Sequence, residues 1–353
     1  MPRRQGDCGV RQRLTTVVPA SLVPIPQRLA SLGLASLLAV AAGGCSSSNQ
    51  LGAYEAARTL HLAPDGRLLV TDLGSGRNDG KVVAVDVDSG KRTVLMRDLP
   101  STHASGESHA DLAGPSGAAM AADGTVCAVI AGATKRNAGF STMRCSNGLV
   151  VDLEAFQGRT KLPSNPYDVV PDGKDGWYVS DGAANNLLHV DRAGKVAVVA
   201  RFPSLEAVGL GRRDGQGVPT GLTLGPDATL YAALFGGAPF DGPPSAVVAL
   251  PPDAATRKAK PRPLAFLPHP IAVAAVPGGV AVLDYGGAPG ERRKGELRVF
   301  DGAGTGPPRQ AGQGRLLVAR LDGPTGLVRL PDGRWVIAET GHHGLRVLSG
   351  KLS

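Results

Sequence analysis

Residues 163–196 read PSNPYDVVPDGKDGWYVSDGAANNLLHVDRAGKV, and the order of signals in this stretch decides the fold. Pro166 precedes a short apolar segment, a Pro-Asp-Gly turn follows at 171–173, and a second apolar segment begins at Trp177 and ends at Asp181. Short strands bounded by Gly, Pro, Asn and Asp mark antiparallel sheet rather than helix. The rest of the chain has the same texture. Val, Leu and Ala runs alternate with Gly, Pro and Asp clusters, and no segment sustains a helical apolar period.

The stretch is one copy of a repeat. Gly114-Pro115-Ser116-Gly117, Asn165-Pro166-Tyr167-Asp168, Val218-Pro219-Thr220-Gly221, His269-Pro270-Ile271-Ala272 and Gly323-Pro324-Thr325-Gly326 place five prolines 51, 53, 51 and 54 residues apart. Each proline leads into the same strand, turn and strand. A sixth copy, LHLAPDGRLLVTD at 60–72, stands in phase with Ala57 in the proline position. Six units of about fifty residues, each of four strands, predict an all-β fold: a six-bladed β-propeller of four-stranded antiparallel blades over residues 57–353. The last copy has room for only three strands before Ser353. The fourth is therefore expected from residues 51–57, so that the N-terminal strand closes the ring against the C-terminal blade and leaves no open edge.

VSDGAANNLLHVD (179–191) and AETGHHGLRVL (338–348) carry the Asp/Glu, Gly/Thr, turn, Leu/Arg, Val order of NHL repeats and resemble them. Residues 163–196, VPTGLTLGPDATLYAALFGGAPF at 218–240 and GPTGLVRLPDGRWVIAETG at 323–341 resemble, more narrowly, the ScyD/ScyE family, over about residues 57–350. That resemblance implies a six-bladed propeller and no particular reaction. Where it implies a glutamate after the second strand of blade 4, this chain has Leu234, which takes any shared acidic position away from that blade.

Ahead of the repeats, Arg3, Arg4, Arg11, Arg13 and Arg28 precede an apolar run at 29–42, and Ala42-Gly43-Gly44 stand before Cys45. A basic leader, a short apolar core and small residues at a cleavage point read as an export signal, too short to span a bilayer well. The AGGC order resembles a bacterial lipobox. It predicts removal of residues 1–44, lipidation of Cys45, a short tether and closing segment at 45–56, and membrane contact through the lipid anchor. The expected place is the bacterial cell envelope, facing the periplasm or the exterior. Losing five arginines and Asp7 lowers the formal charge from +8 to +4. The remaining basic clusters lie among Gly and Pro without interleaved aromatics, which argues against a nucleic-acid partner. A monomer is expected. Two cysteines remain, Cys127 and Cys145; on neighbouring strands of one hairpin they form a disulfide in an exported compartment, the alternative being two buried thiols.

Propeller geometry puts the start of each first strand and the end of each second strand on one rim, which also receives the longer connections. That rim carries Asp72, Asp181, Asp284 and Glu339 at second-strand ends, with Asn165 and His269 at first-strand starts. Oxygen ligands of this kind suit Ca2+, and Asn165, Asp168 and Asp181 are the candidate set for a divalent cation such as Ca2+. The competing reading is that Asp before Gly bonds its own turn backbone. Gluconolactonase-type propellers, a related architecture, hold a divalent cation at the channel mouth. His103, His109 and His269 could reach the same mouth but lack the spacing of a zinc site. His342 and His343 follow Glu339 in the slot of Asn185 and Asn186; adjacent strand residues face opposite ways, so at most one joins Glu339. Asn165, Asp168, His269, Glu339 and His342 are the candidate ligand contacts. Two functions compete. One is a lipid-anchored binding or interaction module whose loop-rich face meets an unknown protein, glycan or small-molecule ligand. The other is a metal-dependent lactonase- or hydrolase-type enzyme at the channel mouth.

Overall fold

A computed structural model describes residues 51–103, 112–132, 139–174, 176–204, 215–237, 245–255, 260–287, 294–302 and 306–348. The expected leader at 1–44, Cys45 and His109 lie outside the described residues.

Blade 1 consists of β1 (Ala57–Leu62), β2 (Leu68–Asp72), β3 (Gly80–Val85) and β4 (Arg92–Leu99). A two-stranded ribbon of β5 (Thr102–His103) and β6 (Leu112–Ala113) leads into blade 2, formed by β7 (Pro115–Met120), β8 (Val126–Ile130), β9 (Thr142–Cys145) and β10 (Val150–Asp152). The one α-helix among the described residues, α1 (Leu153–Gly158), follows, its start capped by the Asp152 carboxylate. Blade 3 is β11 (Pro166–Pro171), β12 (Gly176–Asp181), β13 (Asn186–Asp191) and β14 (Val196–Arg201). Blade 4 is β15 (Pro219–Leu224), β16 (Leu230–Leu234), β17 (Ser245–Leu250) and β18 (Arg262–Leu267). Blade 5 is β19 (Pro270–Val276), β20 (Gly279–Asp284), β21 (Gly295–Asp301) and β23 (Arg315–Leu321), and the short β22 (Arg309–Gln310) joins blade 4 parallel to β18. Blade 6 contributes β24 (Pro324–Arg329), β25 (Trp335–Glu339) and β26 (Gly344–Leu348).

Within each blade the strands pair in sequence order and antiparallel. The six first strands contact one another in the cycle β1, β7, β11, β15, β19, β24 and back to β1, so the chain is a closed six-bladed β-propeller with these strands around the axis. Proline opens five of them because the first residue of a strand can lack a ladder N–H without loss. Directly after that residue every first strand has a register irregularity, which re-aims the next side chain away from the regular alternation. Second strands lie inside their blades and are buried on both faces, as in β2, β8, β12, β20 and β25. Each such Val, Leu or Ile contributes about 1.5–3 kcal/mol. The outer strands β4 and β23 are largely exposed and carry the charges. Cys127 on β8 and Cys145 on β9 face each other in register and are disulfide-bonded.

The ring closes differently in detail from the expectation. Residues 51–56 form turns and bends rather than a strand, so three strands of blade 6 are present among the described residues. Leu51 and Tyr54 bury their side chains in the core shared by blades 1 and 6. Tyr54 N–H donates to the His343 carbonyl at 3.4 Å, but the Asp72 carboxylate takes the amides of Glu55 and Ala56 and draws the segment toward blade 1. Closure comes from β1 packing on β24, with the Thr325 hydroxyl donating to the Ala57 carbonyl at 3.3 Å.

Candidate functional site

The acidic residues of the loop-rich rim act as latches. Asp181 accepts from Ser164 Oγ (2.7 Å), Asn165 N (2.8 Å), Gln157 Nε2 (3.1 Å) and Ala184 N (3.3 Å). Asp284 accepts from His269 N (2.9 Å) and Gly286 N (2.7 Å), Asp72 from Ala56 N (2.9 Å), and Glu339 from Asp322 N (2.7 Å). Each carboxylate therefore grips the backbone leading into the first strand of its own blade. Burial pushes the pKa values of Asp181 and Asp284 up, with their hydrogen bonds pulling the other way. In blade 4 the equivalent Leu234 is fully buried, and a Cβ on Gly217 would lie 3.4 Å from it, so apolar contact replaces the latch.

Asn165 is exposed, and its side-chain oxygen accepts from Gly132 N at 2.8 Å, tying blade 3 to blade 2. The side chains of Asn165, Asp168 and Asp181 therefore have three separate sets of hydrogen-bond partners. Among the described residues no group of three or more His, Cys, Asp or Glu is arranged to hold a metal ion. His103 bonds the Ser75 carbonyl at 3.1 Å. His342 ends the turn Thr340–His342, and its side chain lies outside the described residues.

The residues after the opening prolines alternate around the ring. In blades 2, 4 and 6 a hydroxyl comes first: Ser116 and Thr325 donate to the carbonyls of Pro166 (2.8 Å) and Ala57 (3.3 Å), which open the next blade, and Thr220 lies between the Ala233 carbonyl of its own blade (3.2 Å) and the Pro270 carbonyl of the next (3.5 Å). Glycine follows because the next strand passes too close for a side chain. A Cβ on Gly117, Gly221 or Gly326 would stand 2.6 Å from Asp168 Cα, 2.8 Å from Ala272 Cα or 2.5 Å from the Arg58 carbonyl oxygen. Blades 1, 3 and 5 instead carry Arg58, Tyr167 and Ile271 in the hydroxyl position.

These large side chains gather at the axis. The Arg58 guanidinium carbon lies 5.0 Å from the Tyr167 ring centroid, joining blades 1 and 3 across blade 2. Arg58 Nε is buried without a hydrogen-bond partner among the described residues, and the buried Tyr167 hydroxyl has only the Arg58 side chain beside it. Burial raises the Tyr167 pKa, with the Arg58 cation opposing. Alongside, Phe235 packs on His269 and edge-on against Tyr285, with ring centroids 5.2 and 5.7 Å apart, and Tyr167, Ile271 and Tyr285 share its apolar cluster. His269 is thus in this group; Glu339 and Asn165 are not part of it.

Asp168 lies deeper in the channel, 2% exposed. Its carboxylate accepts from Val169 N (2.8 Å) and Leu222 N of blade 4 (2.9 Å), and it bonds His61 Nε2 of blade 1 at 2.8 Å. His61 escaped the sequence reading because no other blade has a polar residue with its charge at that level. Its partner is 107 residues away. Arg58 and Tyr167 had a readable signal: the alternation of Pro-Ser/Thr-Gly with bulkier pairs.

A closed ring of six antiparallel blades defines a class by fold, the six-bladed β-propellers. Among solved structures, a gluconolactonase from Xanthomonas campestris is similar at 14% identity and a TM-score of 0.51, covering 84% of this chain and 86% of that one. A putative gluconolactonase shows the same 14% identity and TM-score of 0.51, over 86% and 93% of the two chains. An auxiliary nutrient binding protein from Bacteroides thetaiotaomicron reaches a TM-score of 0.51 at 8% identity, over 84% and 69%. No protein-family model and no curated protein matches the chain. At these identities the likeness is one of fold.

Proposed function

We propose that this chain is an exported, lipid-anchored binding module of the bacterial cell envelope, which takes its ligand at the loop-rich mouth of the propeller through Arg58, Tyr167, Tyr285 and the Phe235–His269 pair. The observation that carries the reading is the contrast at that mouth. The carboxylates are engaged by backbone and side-chain donors, whereas Arg58 Nε is buried without a partner and the Tyr167 hydroxyl has only the Arg58 side chain beside it among the described residues. A cation and a phenol beside aromatic rings suit an anionic or hydroxylated ligand on a protein, glycan or small molecule. Lipidation at Cys45 and the narrower likeness to the ScyD/ScyE family belong to the same proposal and rest on the sequence.

The gluconolactonase-like fold favours a second reading, a metal-dependent lactonase or hydrolase at the same mouth. Elemental analysis of the purified full chain, with thermal melts in Ca2+, Mg2+ and Zn2+, separates the two. The binding reading expects no stoichiometric metal and no change in Tm. A bound divalent ion lost in Asn165→Ala would overturn it in favour of the enzyme.

A further inference from the structure

We propose that the opposite end of the channel is a second, separate binding site, for a small organic acid with an apolar body. A cavity of about 320 Å³ lies there, lined by residues from all six first strands, a volume within the range of small-molecule sites, about 300–1,000 Å³. Its outer ring is Leu62, Met120, Pro171, Leu224, Ala275 and Arg329, one residue from each blade. Five are apolar. Arg329 is the only ionic member; its guanidinium carbon lies 5.9 Å from the Trp335 ring centroid, and no acidic side chain pairs with it among the described residues.

His61 lines the same cavity from β1, the strand packed beside the β24 strand that carries Arg329. Asp168 already accepts two backbone amides, so His61 Nε2 is the donor in their bond. The other ring nitrogen, Nδ1, has no hydrogen-bond partner among the described residues, and the imidazole is part of the cavity wall. Arg329 and His61 thus put a fixed cation and a hydrogen-bonding nitrogen at the seam of blades 6 and 1. Val170, Leu222 and Val273 supply an apolar wall from blades 3, 4 and 5. None of the residues that open the first strands lines this cavity, which separates it from the loop-rich mouth. A carboxylate at Arg329 gains the two-pronged hydrogen bonding for which guanidinium is suited, while an aliphatic body displaces water from the far wall.

Calorimetric titration of the full chain with sodium octanoate and with 1-octanol tests this. Octanoate is expected to bind one to one and at least tenfold more tightly than octanol. Arg329→Gln should weaken octanoate at least tenfold at unchanged Tm. Ala275→Phe, which fills the half-buried mouth from the blade next to that of Arg329, should abolish binding of both. Absence of octanoate binding, equal affinity for octanol, or binding indifferent to Arg329→Gln or Ala275→Phe would each overturn the assignment.

Discussion

Replacing Asp181 by alanine tests the claim that the rim carboxylates are structural. Two short bonds carry most of the effect, from Ser164 Oγ at 2.7 Å and Asn165 N at 2.8 Å. Gln157 Nε2 keeps a second acceptor in Asn186 Oδ1, and the Ala184 amide is already long at 3.3 Å. Hydrogen bonds to a charged group contribute about 1.5–3 kcal/mol each, which sets a ceiling of about 6 kcal/mol. Burying the ionised carboxylate offsets part of this, as its raised pKa shows. A loss of about 3 kcal/mol at pH 7 is the expected net. The pH dependence has a definite sign. Because the folded pKa lies above the unfolded value of 3.8, the folded state binds the extra proton in the interval between them, and the contribution of Asp181 to stability falls as pH rises through it. The advantage of the wild type over Asp181→Ala should therefore grow as pH is lowered from 7 toward 4. Asp284 shifts the same way in both proteins and cancels in the difference. Urea unfolding followed by Trp177, buried on β12 itself, is the assay, with Trp335→Phe as background to remove the other tryptophan. A loss below about 1 kcal/mol at pH 7, or a gap that narrows on acidification, would refute the latch.

Gly326→Ala forces a methyl to within 2.5 Å of the Arg58 carbonyl oxygen at the closing seam, and should lower stability by about 1–3 kcal/mol. Gly124→Ala, with φ +85° and no atom within 4 Å, should cost only the backbone strain of about 1 kcal/mol; a comparison of melting temperatures distinguishes them. Removing the disulfide as Cys127→Ala with Cys145→Ala opens a loop of sequence separation 18 and should cost about 3 kcal/mol, read as a shift in the urea midpoint under oxidising conditions. Cys45→Ser should move the chain from the membrane fraction to the soluble fraction on cell fractionation without altering Tm; retention in the membrane would disprove the lipid anchor.

The blades were legible because the repeats restate the same local chemistry: in five of them a proline where a ladder N–H is dispensable, and in all six a tight turn between two apolar segments. Three elements broke the repeat and stayed hidden. The ribbon β5–β6 and the helix α1 sit in connections, where no periodicity constrains them. The seam segment 51–56 lies at the seam but forms no strand, because the Glu55 and Ala56 amides go to Asp72 and only the Tyr54 amide reaches blade 6, at the His343 carbonyl. Asp168 stands on a strand with the guiding proline, yet its partner His61 belongs to a strand without it, and contacts across a channel leave no spacing in the sequence.

The alternation at the first-strand starts explains why the conspicuous acids were poor guides. Three blades use a hydroxyl and a glycine to fasten themselves to the next blade, and the close approach at Gly117, Gly221 and Gly326 leaves no room there for a functional side chain. Variation at the axis is thereby confined to the other three, where Arg58, Tyr167 and Ile271 stand. The carboxylates recur in four blades because each solves the same backbone problem in its own blade. A group that repeats with the architecture serves the architecture, and a group that breaks the repeat is free to serve a ligand. By that criterion Arg58 and Tyr167 at one mouth, and His61 and Arg329 at the other, are the side chains whose replacement should alter binding while leaving the ring closed.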